Sequence, residues 1–184
     1  MERVLFILGL LEDEDVDWLV GAGRRREIAR NEVLIQEGVL NTAIYLILSG
    51  RFVVAVARSP HTEIAHMSSG EVVGEMSFVD HLPSSATVKA SEPAVVLEID
   101  REILNQKLAQ DVSFARRWYH ALAILLSTRL RGTVRYLEAE FWKPFTLEET
   151  HFSPDMADSM ELGGIRFDWL MRRLRDTDIQ PHKT

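Results

Sequence analysis

The sequence has no cysteine. That excludes a disulfide framework, a thiolate nucleophile and a thiolate metal site, and it fits a reducing compartment. It also lacks any stretch of about 18 consecutive apolar residues, so no membrane-spanning helix is expected. Positive charge is short: 21 Lys and Arg face 28 Asp and Glu, a net charge of −7. That argues against generic nucleic-acid binding, where a basic face usually shows in the total. Histidine pairs at ligand spacing are missing. His61 and His66 are five apart, and His81, His120, His151 and His182 are scattered. A metal-binding jelly roll needs histidines two apart on a strand with further His or Glu ligands, so no metal site is expected. No Gly-x-Ser-x-Gly or phosphate-loop pattern occurs, and Asp80-His81 reads as a solvated loop pair rather than a catalytic dyad. The chain is therefore not expected to be an enzyme. The run Val4 to Leu11 is short, acidic residues follow it, and no small-residue cleavage site appears. It does not read as a secretory signal, and a cytoplasmic protein is expected.

What is present changes period twice. Over residues 1–23, Leu5, Leu8 and Leu11, then Val16, Leu19 and Val20, recur at helical spacing. Asp13 or Asp15 is placed to cap the second piece, and Gly21 and Gly23 to end it. Over residues 24–100 the period falls to two. "AIYLILSGRFVVAVAR" carries a hairpin signal, two apolar runs joined by Ser-Gly, and further short runs lie at "EIARNEVLIQEG", "TEIAHM", "TVKA" and "AVVLEID". At least seven short strands with turns every eight to twelve residues predict a mainly β sandwich or barrel, most simply a jelly roll.

Helical spacing returns over residues 101–140. "REILNQKLAQD" predicts a short helix, and the run from Val112 to Phe141 a long one interrupted only by Gly132. Two apolar stripes run along the long helix: Phe114, Trp118, Ala121 and Leu125, and beside them Ala115, Tyr119, Leu122, Leu126, Leu130 and Leu137. So wide an apolar surface exceeds what one sheet edge needs. One stripe is expected on the barrel and the other on a second copy, giving a homodimer through residues 112–137. The alternative is that both stripes pack within one chain under the tail. Residues 141–184 read as a mixed tail with turn formers at Pro144, Pro154 and Gly163-Gly164, and one short amphipathic helix, "IRFDWLMRRLRD".

The stretch "GEVVGEMSFVDHLPSSATVKA", residues 70–90, stands apart. Two glycines, two carboxylates and a short apolar turn are followed by small and hydroxyl residues. Read on its own, Pro-Ser-Ser-Ala-Thr either offers neutral donors to a ligand or satisfies its own backbone.

Taken in order, "LIQEGVLNTAIYLILSGRFVVAV", "GEVVGEMSF" and "SSATVKA" resemble the cyclic-nucleotide-binding domain, the family of catabolite activators, kinase regulatory subunits and nucleotide-gated channels. The resemblance covers roughly residues 5–137. It implies a β-roll, a double-stranded β-helix of jelly-roll type, with N-terminal helices and a long C-terminal lid helix. It also implies a phosphate-binding cassette over residues 73–88. In that frame the amide groups of Gly74, Glu75, Met76 and Ser77 face the phosphate at the start of a one-turn helix. Glu75 accepts from the ribose 2′-hydroxyl, and Ser85 and Ala86 offer amides. Thr133 on the long helix reaches a purine edge or, alternatively, back-bonds to its own helix.

One departure bears on affinity. In nucleotide-binding members an arginine follows that glutamate by nine or ten residues; here those positions are Ser84 and Ser85. Losing one partner of a desolvated charge pair costs about 2–5 kcal/mol, or about thirty- to several thousand-fold in affinity. Lys89 is expected at the surface, and Arg129, Arg131 and Arg135 are expected on a solvated face of the long helix, the alternative being that one of these arginines reaches the phosphate. Two functions follow from the resemblance. One is a stand-alone regulatory or sensor domain that binds a cyclic nucleotide (cAMP or cGMP) or a related phosphorylated ligand weakly and requires no cofactor. The other is a degenerate interaction protein that binds no nucleotide, dimerises through the long helix and contacts a protein partner with its tail. Within the 44 residues after Glu140 the DNA-binding module of the family's regulators is not expected.

Overall fold

The apolar run Ala43 to Leu48 does not alternate with polar residues, because both of its faces are covered. In the computed structural model, which describes residues 6–57, 63–138 and 154–178, this run is β3 (Ala43–Ser49). Ala43, Tyr45 and Ile47 point into a core between two sheets; Ile44, Leu46 and Leu48 point into a second core beneath the helices. β8 (Ala94–Asp100) is shared in the same way, with Ala94 and Val96 on one side and Leu97 and Ile99 on the other. A strand buried on both faces reads as a continuous apolar run.

Eight strands form two four-stranded antiparallel sheets. The first runs β1 (Arg24–Ile28), β8, β3, β6 (Val72–Val73); the second runs β2 (Val33–Ile35), β7 (Thr87–Ala90), β4 (Arg51–Ala55), β5 (Glu63–Ser68). Their packed inner faces make the expected β-roll. The hairpin expected at Ser49-Gly50 is not one: β3 and β4 lie in different sheets, and the turn carries the chain from one to the other. Gly50 has φ +87°, and a Cβ there would meet Ala94, so both the left-handed backbone and the tight corner require glycine.

Helices α1 (Phe6–Leu10), α2 (Asp13–Ala22), α4 (Arg101–Gln110), α5 (Val112–Glu138) and α6 (Pro154–Asp178) cover the first sheet's outer side. The cap of α2 is Glu12 rather than Asp13 or Asp15; the Asp15 carboxylate reaches back to accept from the Glu12 amide at 2.8 Å. Arg117 of α5 donates to both oxygens of the buried Asp15, at 2.7 and 2.9 Å, tying α2 to α5. Asp100 closes β8 and caps α4, accepting from Glu102 and Ile103 amides at 2.8 and 3.1 Å.

Gly132 does not interrupt α5. Its first stripe is core throughout: Phe114, Trp118, Ala121 and Leu125 are buried. The second is divided. Leu122 is buried within the same chain and Leu126 half-buried, while Tyr119 and Leu130 are 49% and 65% exposed; the side chain of Leu137 lies outside the described residues. The tail's helix is longer than expected. α6 starts at Pro154, runs through Gly163-Gly164, and buries Leu170 and Leu174 against the N-terminal helices. Arg173 of α6 pairs with Asp17 of α2 at 2.7 Å.

Candidate functional site

Gly74, at φ +90°, follows β6 directly and turns the chain at once into α3 (Glu75–Asp80). A side chain on Gly74 would collide with the Asn41 amide and the Ala43 carbonyl, so glycine is required by space as well as by backbone. α3 closes on His81 at φ +60°, whose amide bonds back to the Ser77 carbonyl at 3.1 Å. The Ser77 hydroxyl donates to the Leu82 carbonyl at 2.6 Å, and is used by its own loop. The returning strand is held by Ser84, whose amide donates to Val39 at 2.9 Å and whose carbonyl accepts from Gly38 at 2.8 Å.

Between this loop, β4, β5 and α5 lies a cavity of about 360 Å³. All eight residues singled out in the sequence line it: Gly74, Glu75, Met76, Ser77, Ser84, Ser85, Ala86 and Thr133. Ile35, Val54, Ile64, Met67, Val73 and Val88 supply an apolar wall. The Ser84 hydroxyl is buried with no hydrogen-bond partner, and the Ser85 hydroxyl lies 4.0 Å from the Met76 sulfur. Lys89 is exposed, as expected.

Arg129 is where the sequence reading is corrected. Its side chain is not on a solvated face but enters the cavity, only 16% exposed, and pairs with the Glu75 carboxylate through Nη1. Its Nη2 donates to the Val72 carbonyl at 2.6 Å and lies 3.6 Å from the Met67 sulfur, and its Nε has no partner. Glu75 is 3% exposed and already holds a cation. Arg131 is exposed, and the side chain of Arg135 lies outside the described residues. The Thr133 hydroxyl donates to the Arg129 carbonyl at 3.0 Å, the back-bonded alternative.

A second carboxylate lies close by. Glu71 is buried and accepts from the Ser68 amide at 2.5 Å and its hydroxyl at 3.3 Å. Burial pushes its carboxyl above the usual carboxylate range, while Arg129 and the Ser68 donors pull the other way and Glu75 adds to the rise. Among the described residues no group of three or more His, Cys, Asp or Glu is placed to hold a metal ion, and no helix is long and apolar enough to cross a membrane.

Residues 25–111 match the family model described as cyclic nucleotide-binding domain. An uncharacterized NTE family protein of Mycobacterium tuberculosis is 32% identical over 131 residues, which are 71% of this chain and 20% of that protein. The cyclic AMP receptor protein of Thermus thermophilus is 32% identical over 124 residues, 66% of this chain and 55% of that one. The chain thus spans about a fifth of the first relative and about half of the second. Among solved structures, a cyclic nucleotide-binding domain from Methylobacillus flagellatus superposes with a TM-score of 0.66 at 26% identity, covering 74% of this chain and 78% of that one.

Proposed function

Residues 25–111 belong to the cyclic nucleotide-binding domain family, and from that premise we propose that the chain is a regulatory or sensor domain whose cavity takes a cyclic nucleotide such as cAMP or cGMP, weakly, with Arg129 reporting its arrival to α5. One observation carries the reading. Among the described residues, Arg129 is the cation lining the cavity, and it comes from α5 while the cassette comes from the β-roll. A cavity of about 360 Å³ with apolar walls and a few polar groups is of the size that small ligands occupy. A cyclic phosphate entering it competes with Glu75 for the guanidinium, and a change of partner alters what holds α5 against the roll. Only a ligand that favours one of those two arrangements shifts the equilibrium. Binding is weak because the guanidinium must first be drawn from a buried carboxylate, and Ser84 adds no charge.

Calorimetric titration of the purified chain with cAMP and cGMP tests this. Dissociation constants in the sub-millimolar range are expected, and silence at millimolar ligand would refute it. Ser84→Arg adds a second cation at the cassette and should tighten binding by about thirtyfold or more.

The same ion pair also favours a second reading, an interaction module whose site is satisfied without ligand. It would dimerise through the exposed part of α5 and offer α6 to a protein partner. The exposed Tyr119 and Leu130 support a seam there. Leu122 is unsuited to test it, being core. Leu130→Glu should halve the sedimenting mass at micromolar concentration; a mass that matches wild type removes α5 as the seam.

A further inference from the structure

Near the Glu75–Arg129 pair, though not in the lining of the cavity, lies a second buried carboxylate, Glu71. Glu71 and Glu75 flank β6 and are 4% and 3% exposed. Arg129 pairs with Glu75 and, through Nη2, holds the carbonyl of Val72, the residue next to Glu71. The charged groups acting on the Glu71 carboxylate are Arg129 from α5 and Glu75 from α3, with Ser68 supplying neutral donors from β5. Two like charges so deeply buried each make the other harder to ionise, and a cation close by eases both.

Resting on the ligand reading above, we propose that Glu71 is a positioning residue for ligand capture: it takes up a proton from solvent when Arg129 turns from Glu75 to an anionic ligand. The step conserves the charge of the site. A cyclic phosphate brings one negative charge, and the proton that forms the O–H bond on Glu71 brings one positive charge. Glu71 keeps the acceptor it needs for the Ser68 amide on its other oxygen. Glu75, no longer opposed by a second carboxylate, is left free to accept from a ligand hydroxyl. Burial already biases Glu71 toward its neutral form, so the proton goes there at the least cost.

The sign follows from linkage. A complex that holds one more proton than the free protein loses affinity as pH rises, by up to about tenfold per unit. The slope flattens at low pH, where Glu71 is already protonated before ligand arrives. The variant Glu71→Gln assigns the proton, because the other titratable groups near the cassette, notably the exposed His81, are the same in both proteins. Glutamine keeps an acceptor for Ser68 and cannot titrate.

The experiment is calorimetry of the full chain with cAMP and cGMP at pH 8 in phosphate and in Tris, whose ionisation heats differ widely, and a titration series from pH 6 to 8. For wild type the apparent enthalpies should differ by the uptake of up to one proton, and affinity should fall toward pH 8. For Glu71→Gln the buffer difference should vanish, affinity should change less than about twofold over the range, and binding at pH 8 should be tighter than in wild type. Equal enthalpies in both buffers for wild type, or a wild-type slope in Glu71→Gln, overturns the coupling while leaving the ligand reading intact. Silence of wild type toward both nucleotides overturns the ligand reading and this inference with it.

Discussion

Replacing Arg129 by methionine should lower the stability of the folded chain by about 3 kcal/mol near neutral pH and remove its response to cyclic nucleotides. The loss is not that of one hydrogen bond. Methionine fills similar space but leaves the Glu75 carboxylate, 3% exposed, without its cation, and the Val72 carbonyl without its donor. Removing one partner of a buried ion pair costs about 3–5 kcal/mol. The partial exposure of Arg129, at 16%, places the expectation at the lower end. For a chain of this size each kcal/mol is about 2–4 °C, so the melting temperature should fall by roughly 6–12 °C. In the double variant Arg129→Met, Glu75→Gln more than half of the loss should return, since neither charge remains. Thermal unfolding of the four proteins near neutral pH reads the cycle directly. A single variant as stable as wild type would show that the pair is not formed in solution, and both the reporting role of Arg129 and the charge exchange at Glu71 would go with it.

That residue also marks where sequence reasoning stopped. The cassette was legible because its parts are local: Gly74 and Glu75 adjoin, and Ser84 to Ala86 follow within a dozen residues. The partner of Glu75 lies 54 residues away, beyond any local pattern. A usable signal did exist. One of the two readings of Thr133 turns it toward the cavity, and Arg129 is four residues earlier on the same helix, hence on the same face. It also continues the buried series Trp118, Leu122, Leu125. An arginine extending an apolar stripe points to a buried partner more than to solvent.

The strands were legible from their apolar runs, but not which strand pairs with which. Ser49-Gly50 has the same composition whether it folds a hairpin or hands the chain to the other sheet; the choice is made by Ala94 pressing on Gly50 and by β8 pairing with β3. Likewise Gly163-Gly164 reads as a break because each glycine costs about 1 kcal/mol in a helix. In α6 that cost is offset by burial: Gly163 is buried, and Leu170 and Leu174 seal the same face further on.

Placing valine at Gly9 should release α6 while leaving the β-roll folded. Gly9 lies on α1 where that helix meets α6 backbone to backbone, and a Cβ there would run into the main-chain carbonyl of Ser159. Neither side of this contact can yield by rotating a side chain, so the helices must part. Their separation also removes the grip of Arg166. Its Nη1 donates to the carbonyls of Leu8 and Gly9 at 3.1 and 3.2 Å and to that of Leu11, and its Nε pairs with Asp13 at 2.7 Å. These carbonyls at the end of α1 have no helical partner of their own, so α6 acts as its C-terminal cap. Undocking exposes Leu170 and Leu174, each worth about 1.5–3 kcal/mol when buried, which is the energy holding α6 in place. The two cores give the expected boundary: α6 contributes to the one beneath the helices and nothing to the one between the sheets. Hydrogen exchange should therefore quicken at least tenfold across residues 154–178 in Gly9→Val, with amides of β3, β4, β7 and β8 protected as in wild type. Unchanged protection over 154–178 would mean that α6 is not seated on α1 in solution. Collapse of protection in the strands as well would mean that α6 and the roll form one cooperative unit, leaving no separable arm for a partner to grasp.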